Sequence, residues 1–146
     1  MKKWARMICV VMALCIFCSA VASAETEITP RGNSHIAAHS AFLYMATGNV
    51  LQVWFDVTAN ARVIDRIGAM WIEIYRSSDQ TNWTKMRTYE YTEYPDMMGY
   101  NKTFHAGHVT YGYATPGYYY KAYIKFYAES GTDSGAVLRY TAVLQS

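Results

Sequence analysis

Residues 118–128, with the sequence YYYKAYIKFYA, alternate between two kinds of side chain along their whole length. Successive side chains of a β-strand point to opposite faces of the sheet, so a period of two predicts a strand with one face in an apolar core. The core set is predicted to be the even-numbered positions, Tyr118, Tyr120, Ala122, Ile124, Phe126 and Ala128, and the outward set the odd-numbered positions, Tyr119, Lys121, Tyr123, Lys125 and Tyr127.

The same alternation recurs through most of the chain after residue 35. The core faces of two further strands are predicted from Leu51, Val53, Phe55 and Val57 and from Met70, Ile72 and Ile74. Other strands are predicted at 36–46, 83–91, 103–113 and 137–144, with turns or connections at 48–49, 77–79, 93–101 and 131–135. Within 103–113, Gly107 and Gly112 indicate bulges or bends. About seven strands at roughly 8 to 15 residue spacing, and no helix predicted among them, favour an all-β sandwich.

The first 24 residues have the layout of a secretory signal peptide. Lys2, Lys3 and Arg6 precede an apolar stretch over 7–17, and small residues end at Ala24, where we predict cleavage. The apolar stretch is shorter than the about 20 residues that span a bilayer, so the exported protein is predicted to be extracellular without a membrane span. The predicted organisation is a signal peptide at 1–24, a flexible lead-in at 25–33 and one β-sandwich domain at 34–146.

Cysteine and charge counts change when the signal peptide is removed. Cys9, Cys15 and Cys18 all lie within it, so the exported domain is predicted to have no disulfide. Lipidation is a minor alternative, since large residues precede Cys15 and Cys18. Three of the 13 basic residues and none of the 11 acidic ones are lost, which leaves a net charge of −1. The exported chain therefore lacks the basic character that nucleic-acid binding requires.

Two stretches resemble fibronectin type III and related immunoglobulin-like domains. TPGYYYKAY at 115–123 is similar to the sixth strand of these domains, with Tyr120 at the position of the tyrosine corner. IEIYRSSDQTNWTK at 72–85 resembles their third-to-fourth strand hairpin, with Trp83 in the place of a tryptophan at the edge of the core. The resemblance implies that the Tyr120 hydroxyl bonds to upstream backbone and that both residues are structural.

Residues 28–144 as a whole resemble a family of short secreted proteins of unknown function from anaerobic Gram-positive bacteria. The matching stretches are ITPRG at 28–32, VWFDVT at 53–58, YPDM at 94–97 and the strand at 118–127. The family has no assigned activity or catalytic residues. The resemblance therefore implies export and an immunoglobulin-like fold, and it implies nothing about mechanism.

No residue pattern indicates catalysis, a metal or a cofactor. His35 and His39 lie on one face of a strand but about 13 Å apart, which is too far to share a metal. Candidates for a carboxylate pair such as Glu90, Glu93 and Asp96 lie close together beside a turn, where acidic residues are ordinarily solvated. We therefore expect no enzyme activity, no metal and no cofactor, and a small hydrolase is the third of three functional alternatives.

Aromatic residues are the one compositional excess, with 14 Tyr and 4 Trp in the chain. Aromatic rings on a sheet face bind sugar rings or protein partners, but they also form stabilising cross-strand ladders. The leading prediction is an extracellular binding or adhesion module with a glycan or surface protein as ligand. The alternative is a structural or self-associating cell-surface protein. The sequence does not determine the oligomeric state. The candidate ligand-binding residues, outward by parity, are Trp54, Trp71, Tyr75, Tyr119, Tyr123 and Tyr127.

Overall fold

The structure, a computed structural model, describes residues 35–60 and 64–146. The predicted signal peptide and lead-in lie outside these residues. The described strands are β1 (Ile36–Ala46), β2 (Val50–Ala59), β3 (Arg66–Ser77), β4 (Thr84–Glu90), β5 (Met98–Tyr100), β6 (Phe104–Tyr113), β7 (Tyr119–Ser130), β8 (Asp133–Tyr140) and β9 (Leu144–Gln145). A 3-10 turn, Pro95–Met97, precedes β5. Within the described part of the chain, no helix is long and apolar enough to cross a membrane.

The strands form two antiparallel sheets. The three-stranded sheet has the order β1-β2-β6, and the six-stranded sheet has the order β4-β3-β7-β8, with β5 paired to β3 and β9 paired to β7. The core lies between the inner faces of the sheets. There the Phe55 ring of β2 meets the Phe126 ring of β7 edge-on, with centroids 6.5 Å apart. The predicted all-β architecture with two packed sheets is confirmed.

Most predicted core positions are buried. Leu51, Val53, Phe55 and Val57 of β2 are at most 2% exposed, and Tyr120, Ala122, Ile124, Phe126 and Ala128 of β7 are fully buried. Tyr118, the remaining predicted member, is only partly buried and packs against the core from its edge, beneath the Arg76 guanidinium. The alternation of β2 and β7 therefore predicts their inner faces correctly.

The prediction for Met70 is wrong because β3 contains a bulge. Ile67 and Ala69 are buried, Met70 is only partly buried, and burial resumes at Ile72. The register with β7 shifts between Ala69 and Trp71. A bulge adds one residue to one strand, so the inward parity changes from odd to even at that point.

Three connections also differ from the predictions. The segment 93–101 holds the 3-10 turn and β5, because Met97 and Met98 are buried against β3. The turn after β7 is shorter than predicted, since β8 already begins at Asp133. The predicted last strand is broken after Tyr140, where the buried Thr141 accepts a hydrogen bond from the Ala122 N–H on its hydroxyl oxygen (2.9 Å).

The two glycines of β6 have different roles. Gly112 has a φ of +111° and lies where the register with β2 shifts, so the predicted bulge is confirmed there. Gly107 pairs regularly with Phe55, and a Cβ on it would approach the Phe55 ring to 2.9 Å. Gly107 therefore allows close packing of the core ring.

Candidate functional site: two aromatic sheet faces

The structure divides the six candidate binding residues between opposite sides of the sandwich. Trp71, Tyr75, Tyr119, Tyr123 and Tyr127 lie on the outward side of β3 and β7. We call this side of the six-stranded sheet, with Glu73, Lys121, Lys125, Leu138 and Tyr140, the large outer face. Trp54 lies on the outward side of β2 in the other sheet. The expectation of a single aromatic face is therefore wrong for Trp54, because parity distinguishes inside from outside but not one sheet from the other.

Tyr123 lies at the centre of a packed cluster on the large outer face. Its ring stacks on Tyr140 of β8, with centroids 4.1 Å apart and planes 16° apart, and its other neighbour is Trp71 at 5.3 Å. The Lys121 ammonium lies 4.8 Å from the Tyr140 centroid and 4.1 Å from that of Trp83. Burial among these rings lowers the pKa of Lys121. Rings and lysine stems thus cover one another.

Tyr75 belongs to an ionic network on the same face. Its hydroxyl donates a hydrogen bond to Glu73 (2.6 Å), and the Lys85 ammonium donates a second (3.0 Å). Partial burial opposes ionisation of Glu73, but these two hydrogen bonds and the lysine charge lower its pKa below the ordinary value. The hydrogen bond to Glu73 and partial burial raise the pKa of Tyr75 to about 12. The Tyr75 hydroxyl therefore stays protonated and committed to an internal partner.

Tyr127 makes the corresponding contacts at the other end of β7. Its hydroxyl donates to Glu129 (2.7 Å), which also accepts from Nε of Arg66 (2.9 Å), and the guanidinium carbon lies 5.6 Å from the Tyr127 centroid. Tyr119, the fifth residue, is half-buried beside Gln145 of β9. The five candidate rings on this face are at most partly exposed, whereas Leu138 and Tyr140 on β8 are 40% and 46% exposed.

A second set of aromatic side chains shares the outward side of the three-stranded sheet with Trp54. In the pairing register, Phe42 of β1 is directly opposite Trp54, and His108 of β6 is opposite it on the other side. Phe104 lies further along β6 and Tyr44 further along β1. We call this outward side the small outer face, comprising Ser40, Phe42, Tyr44, Gln52, Trp54, Asp56, Phe104, His108 and Thr110.

The small outer face is more exposed and less charged than the large one. Phe42, Tyr44 and Phe104 are 51–52% exposed, and Trp54 is 38% exposed. Strands β1, β2 and β6 contain no Lys or Arg, and their one carboxylate is that of Asp56. The four long strands of the other sheet all carry charged residues of both signs. The small outer face is thus an exposed aromatic surface whose strands carry no Lys or Arg.

Hydrogen bonds and stacking fix the orientation of the side chains around Trp54. The indole stacks on the His108 ring, with centroids 4.5 Å apart and planes 15° apart, and its Nε1–H donates to the Gln52 side-chain oxygen (3.0 Å). The Ser40 hydroxyl donates to Asp56. One face of the indole therefore covers His108, while the Trp54 side chain as a whole stays 38% exposed. These contacts preorganise the surface.

A groove of about 310 Å³ adjoins the small outer face at the edge of β6. His108 lines it together with Glu93 and Asp96, two of the acidic residues considered for catalysis; Tyr89, Tyr94 and Val109 line its apolar part. Both carboxylates are exposed to solvent. The third acidic residue, Glu90, lies outside the groove, opposite Trp71.

The two histidines considered as metal ligands, His35 and His39, have different contacts. His35 is 3.7 Å from Asp133, and the His39 ring packs against the Phe126 ring at 5.0 Å. Among residues 35–60 and 64–146, no group of three or more His, Cys, Asp or Glu side chains is arranged to hold a metal ion.

The two residues predicted to be structural have different surroundings. Tyr120 is fully buried, and its hydroxyl accepts a hydrogen bond from the Thr115 N–H (2.8 Å), which is the backbone contact that the resemblance implied. Trp83 instead lies on the outer side of the sheet, with its indole N–H donated to the Gln80 carbonyl (3.0 Å) and Lys121 above its ring. The placement of Trp83 at the edge of the core is therefore wrong, because the hairpin places its ring against Lys121 of the large outer face.

Sequence reasoning missed four residues of the small outer face, Phe42, Tyr44, Phe104 and His108. The signal was present, since Ser40, Phe42 and Tyr44 alternate with the more buried Ala41 and Leu43. Comparison of the chain with protein-family models, with curated proteins and with solved structures found no significant match. The resemblance to secreted proteins of Gram-positive anaerobes therefore stays a prediction.

Proposed function

We propose that this protein is a non-catalytic extracellular binding module that holds its ligand against the small outer face. Export is the expectation from residues 1–24, and the ligand is a glycan or a surface protein. The observation that carries the proposal is the exposure of four large aromatic side chains, Phe42, Tyr44, Trp54 and Phe104, on one sheet face. Contiguous exposed apolar surface on a secreted domain is typical of interaction sites.

The large outer face is the weaker candidate because its aromatic side chains already have partners. Tyr123 stacks on Tyr140, Tyr75 is bonded to Glu73, and Tyr127 is bonded to Glu129. A ligand would have to displace these contacts or the lysine stems above them. We therefore assign a stabilising role to the large outer face and the binding role to the small one.

We infer that the fold is a fibronectin type III-like sandwich. The fourth long strand, β4, pairs with β3 in the sheet of β7 and β8, whereas the fourth strand of an immunoglobulin constant domain joins the sheet of the first two. The hydrogen bond from Thr115 to the Tyr120 hydroxyl also supports this assignment. In such sandwiches an outer sheet face is available for ligands, while the inner faces form the core.

Matched alanine substitutions on the two faces test the binding role. The purified wild type, Trp54→Ala and Trp71→Ala are applied to a glycan array and to immobilised cell-surface proteins, with circular dichroism as a check of folding. We expect wild-type binding to fall at least about tenfold in Trp54→Ala, as for a buried aromatic anchor, and to stay within about twofold in Trp71→Ala. Equal binding by all three proteins, or loss only in Trp71→Ala, contradicts the proposal.

Self-association is a second candidate that one observation favours. Strand β1 lies at the end of the three-stranded sheet and contains no Lys, Arg, Asp, Glu or Pro, the residues that commonly block edge-to-edge pairing. Size-exclusion chromatography over a hundredfold range of concentration tests this candidate. A concentration-dependent shift to dimers or larger species supports self-association, and a constant monomer elution volume excludes it.

A further inference from the structure

The arrangement of polar side chains around the aromatic row of the small outer face indicates a ligand class. Phe42, Trp54 and His108 form a row across the three strands. Two residues along β1 and β2 on the same face, polar groups flank this row on both sides, while β6 adds Thr110 on one side and the apolar Ala106 on the other. On one side Ser40 pairs with Asp56, and on the other Tyr44 pairs with Gln52, which also pairs with Thr110.

This pattern of apolar centre and polar margins matches the surface of a pyranose. A sugar ring presents C–H groups on its faces and hydroxyl groups around its rim. The exposed part of the Trp54 ring provides a surface for the C–H face, in the aromatic stacking common to sites for amphipathic ligands. The Gln52 side-chain oxygen accepts a hydrogen bond from the Trp54 indole N–H (3.0 Å), and its amide NH₂ can donate to a sugar hydroxyl. The Asp56 carboxylate can accept a hydrogen bond from a second sugar hydroxyl.

The charge of the face excludes two other ligand classes. Polyanions require clustered Lys or Arg, and strands β1, β2 and β6 contain neither. Polycations require several carboxylates, and strands β1, β2 and β6 together contain one, that of Asp56. A ligand matched to this face is uncharged and rich in hydroxyl groups.

We propose that the small outer face binds an uncharged polysaccharide, laid across the strands over Trp54 with its hydroxyl groups contacting Gln52 and Asp56. This inference rests on the proposed function and specifies its ligand. The interaction is short-range stacking and hydrogen bonding, so it is insensitive to salt, unlike the binding of a charged chain.

Affinity electrophoresis in gels containing one soluble polysaccharide at a time tests this inference. The uncharged probes are a β-glucan, a xylan, a galactomannan and dextran, and the charged probes are heparin and chitosan. We expect retardation by at least one uncharged probe, with a dissociation constant that changes by less than about twofold between 0.05 and 0.5 M salt. Retardation by none of the uncharged probes, or by heparin or chitosan alone, overturns the inference.

Variants of the polar margin separate this inference from the broader binding role. We expect Gln52→Ala and Asp56→Ala each to weaken retention by about three- to tenfold, since each removes one hydrogen bond of about 1 kcal/mol. Trp54→Phe keeps a smaller ring and is expected to weaken it less than Trp54→Ala, while Trp71→Ala leaves it unchanged. Trp54-dependent binding to a surface protein without retention by uncharged probes overturns the polysaccharide inference and leaves the binding role standing. Binding independent of Trp54 contradicts both.

Discussion

Both outer faces of the sandwich carry several aromatic side chains, but these side chains have different surroundings on the two faces. On the large outer face the rings are interleaved with lysines and carboxylates, and most of them form stacking, cation-π or hydrogen-bonded contacts within the sheet. On the small outer face the rings project beside small and neutral residues and remain about half exposed. The difference teaches that aromatic content alone does not define a binding surface; exposure and the charge of the neighbours decide the role.

The largest expected difference between the faces is in stability. Tyr123→Ala removes a ring that stacks on Tyr140 and contacts Trp71, so we expect the free energy of unfolding to fall by about 2 kcal/mol. Phe42→Ala on the small outer face removes a ring that is 52% exposed and is expected to lower it by less than about 1 kcal/mol. Urea denaturation measures both. A larger effect for Phe42→Ala would reverse the assignment of the stabilising face.

A smaller effect is expected from the lysine between two rings. Lys121→Met keeps most of the apolar stem but removes the ammonium that lies 4.1 Å from the Trp83 centroid and 4.8 Å from that of Tyr140. We expect a loss of about 1 kcal/mol of unfolding free energy, the usual size of a partly buried cation-π contact. Lys125→Met on the same strand is the control, and an equal loss there would show that general charge, not ring contact, is responsible.

The Tyr75–Glu73–Lys85 network predicts how stability depends on pH. The folded pKa of Glu73 is lowered, so its contribution is present above the unfolded value of about 4.3 and is lost as the pH falls through the folded pKa. The folded pKa of Tyr75 is raised to about 12, so its contribution is present below the unfolded value of about 10 and is lost as the pH rises through about 12.

Tyr75→Phe sharpens this prediction. It removes the hydrogen bond to Glu73, so we expect a loss of about 1 kcal/mol near neutral pH and a shallower decrease in stability as the pH falls below about 4.3. Denaturation curves at a series of pH values measure the slope. An unchanged acid slope in the variant would mean that Lys85 alone holds Glu73 ionised.

The inner faces of the strands could be predicted from sequence because burial follows parity. Hydrophobic residues at every second position of β2 and β7 are sufficient to predict which side of each strand is buried, since a change of register by one residue would expose the whole hydrophobic set. The prediction fails at Met70, where a bulge changes the parity within a strand, and at 98–100, where a three-residue strand is too short to show a period. Neither feature has a local pattern strong enough to reveal it.

The candidate site could be predicted only in part. The alternation within β2 correctly predicts that Trp54 points outwards. Alternation carries no information about which strands pair, and the strand pairing places Trp71 and Tyr123 on the other sheet. Phe42 and Tyr44 are separated from His108 by more than 60 positions, and only the β1-β2-β6 order brings them to one surface. Long-range strand order is therefore the missing information.

Nuclear magnetic resonance of the tryptophan indole N–H groups tests the central claim most directly. Trp54 lies on the small outer face, whereas Trp71 and Trp83 lie on the opposite side of the sandwich. During titration with the uncharged polysaccharide that retards the protein most strongly, we predict that the Trp54 signal shifts while those of Trp71 and Trp83 do not. Shifts of the Trp71 or Trp83 signal with an unchanged Trp54 signal would contradict the account.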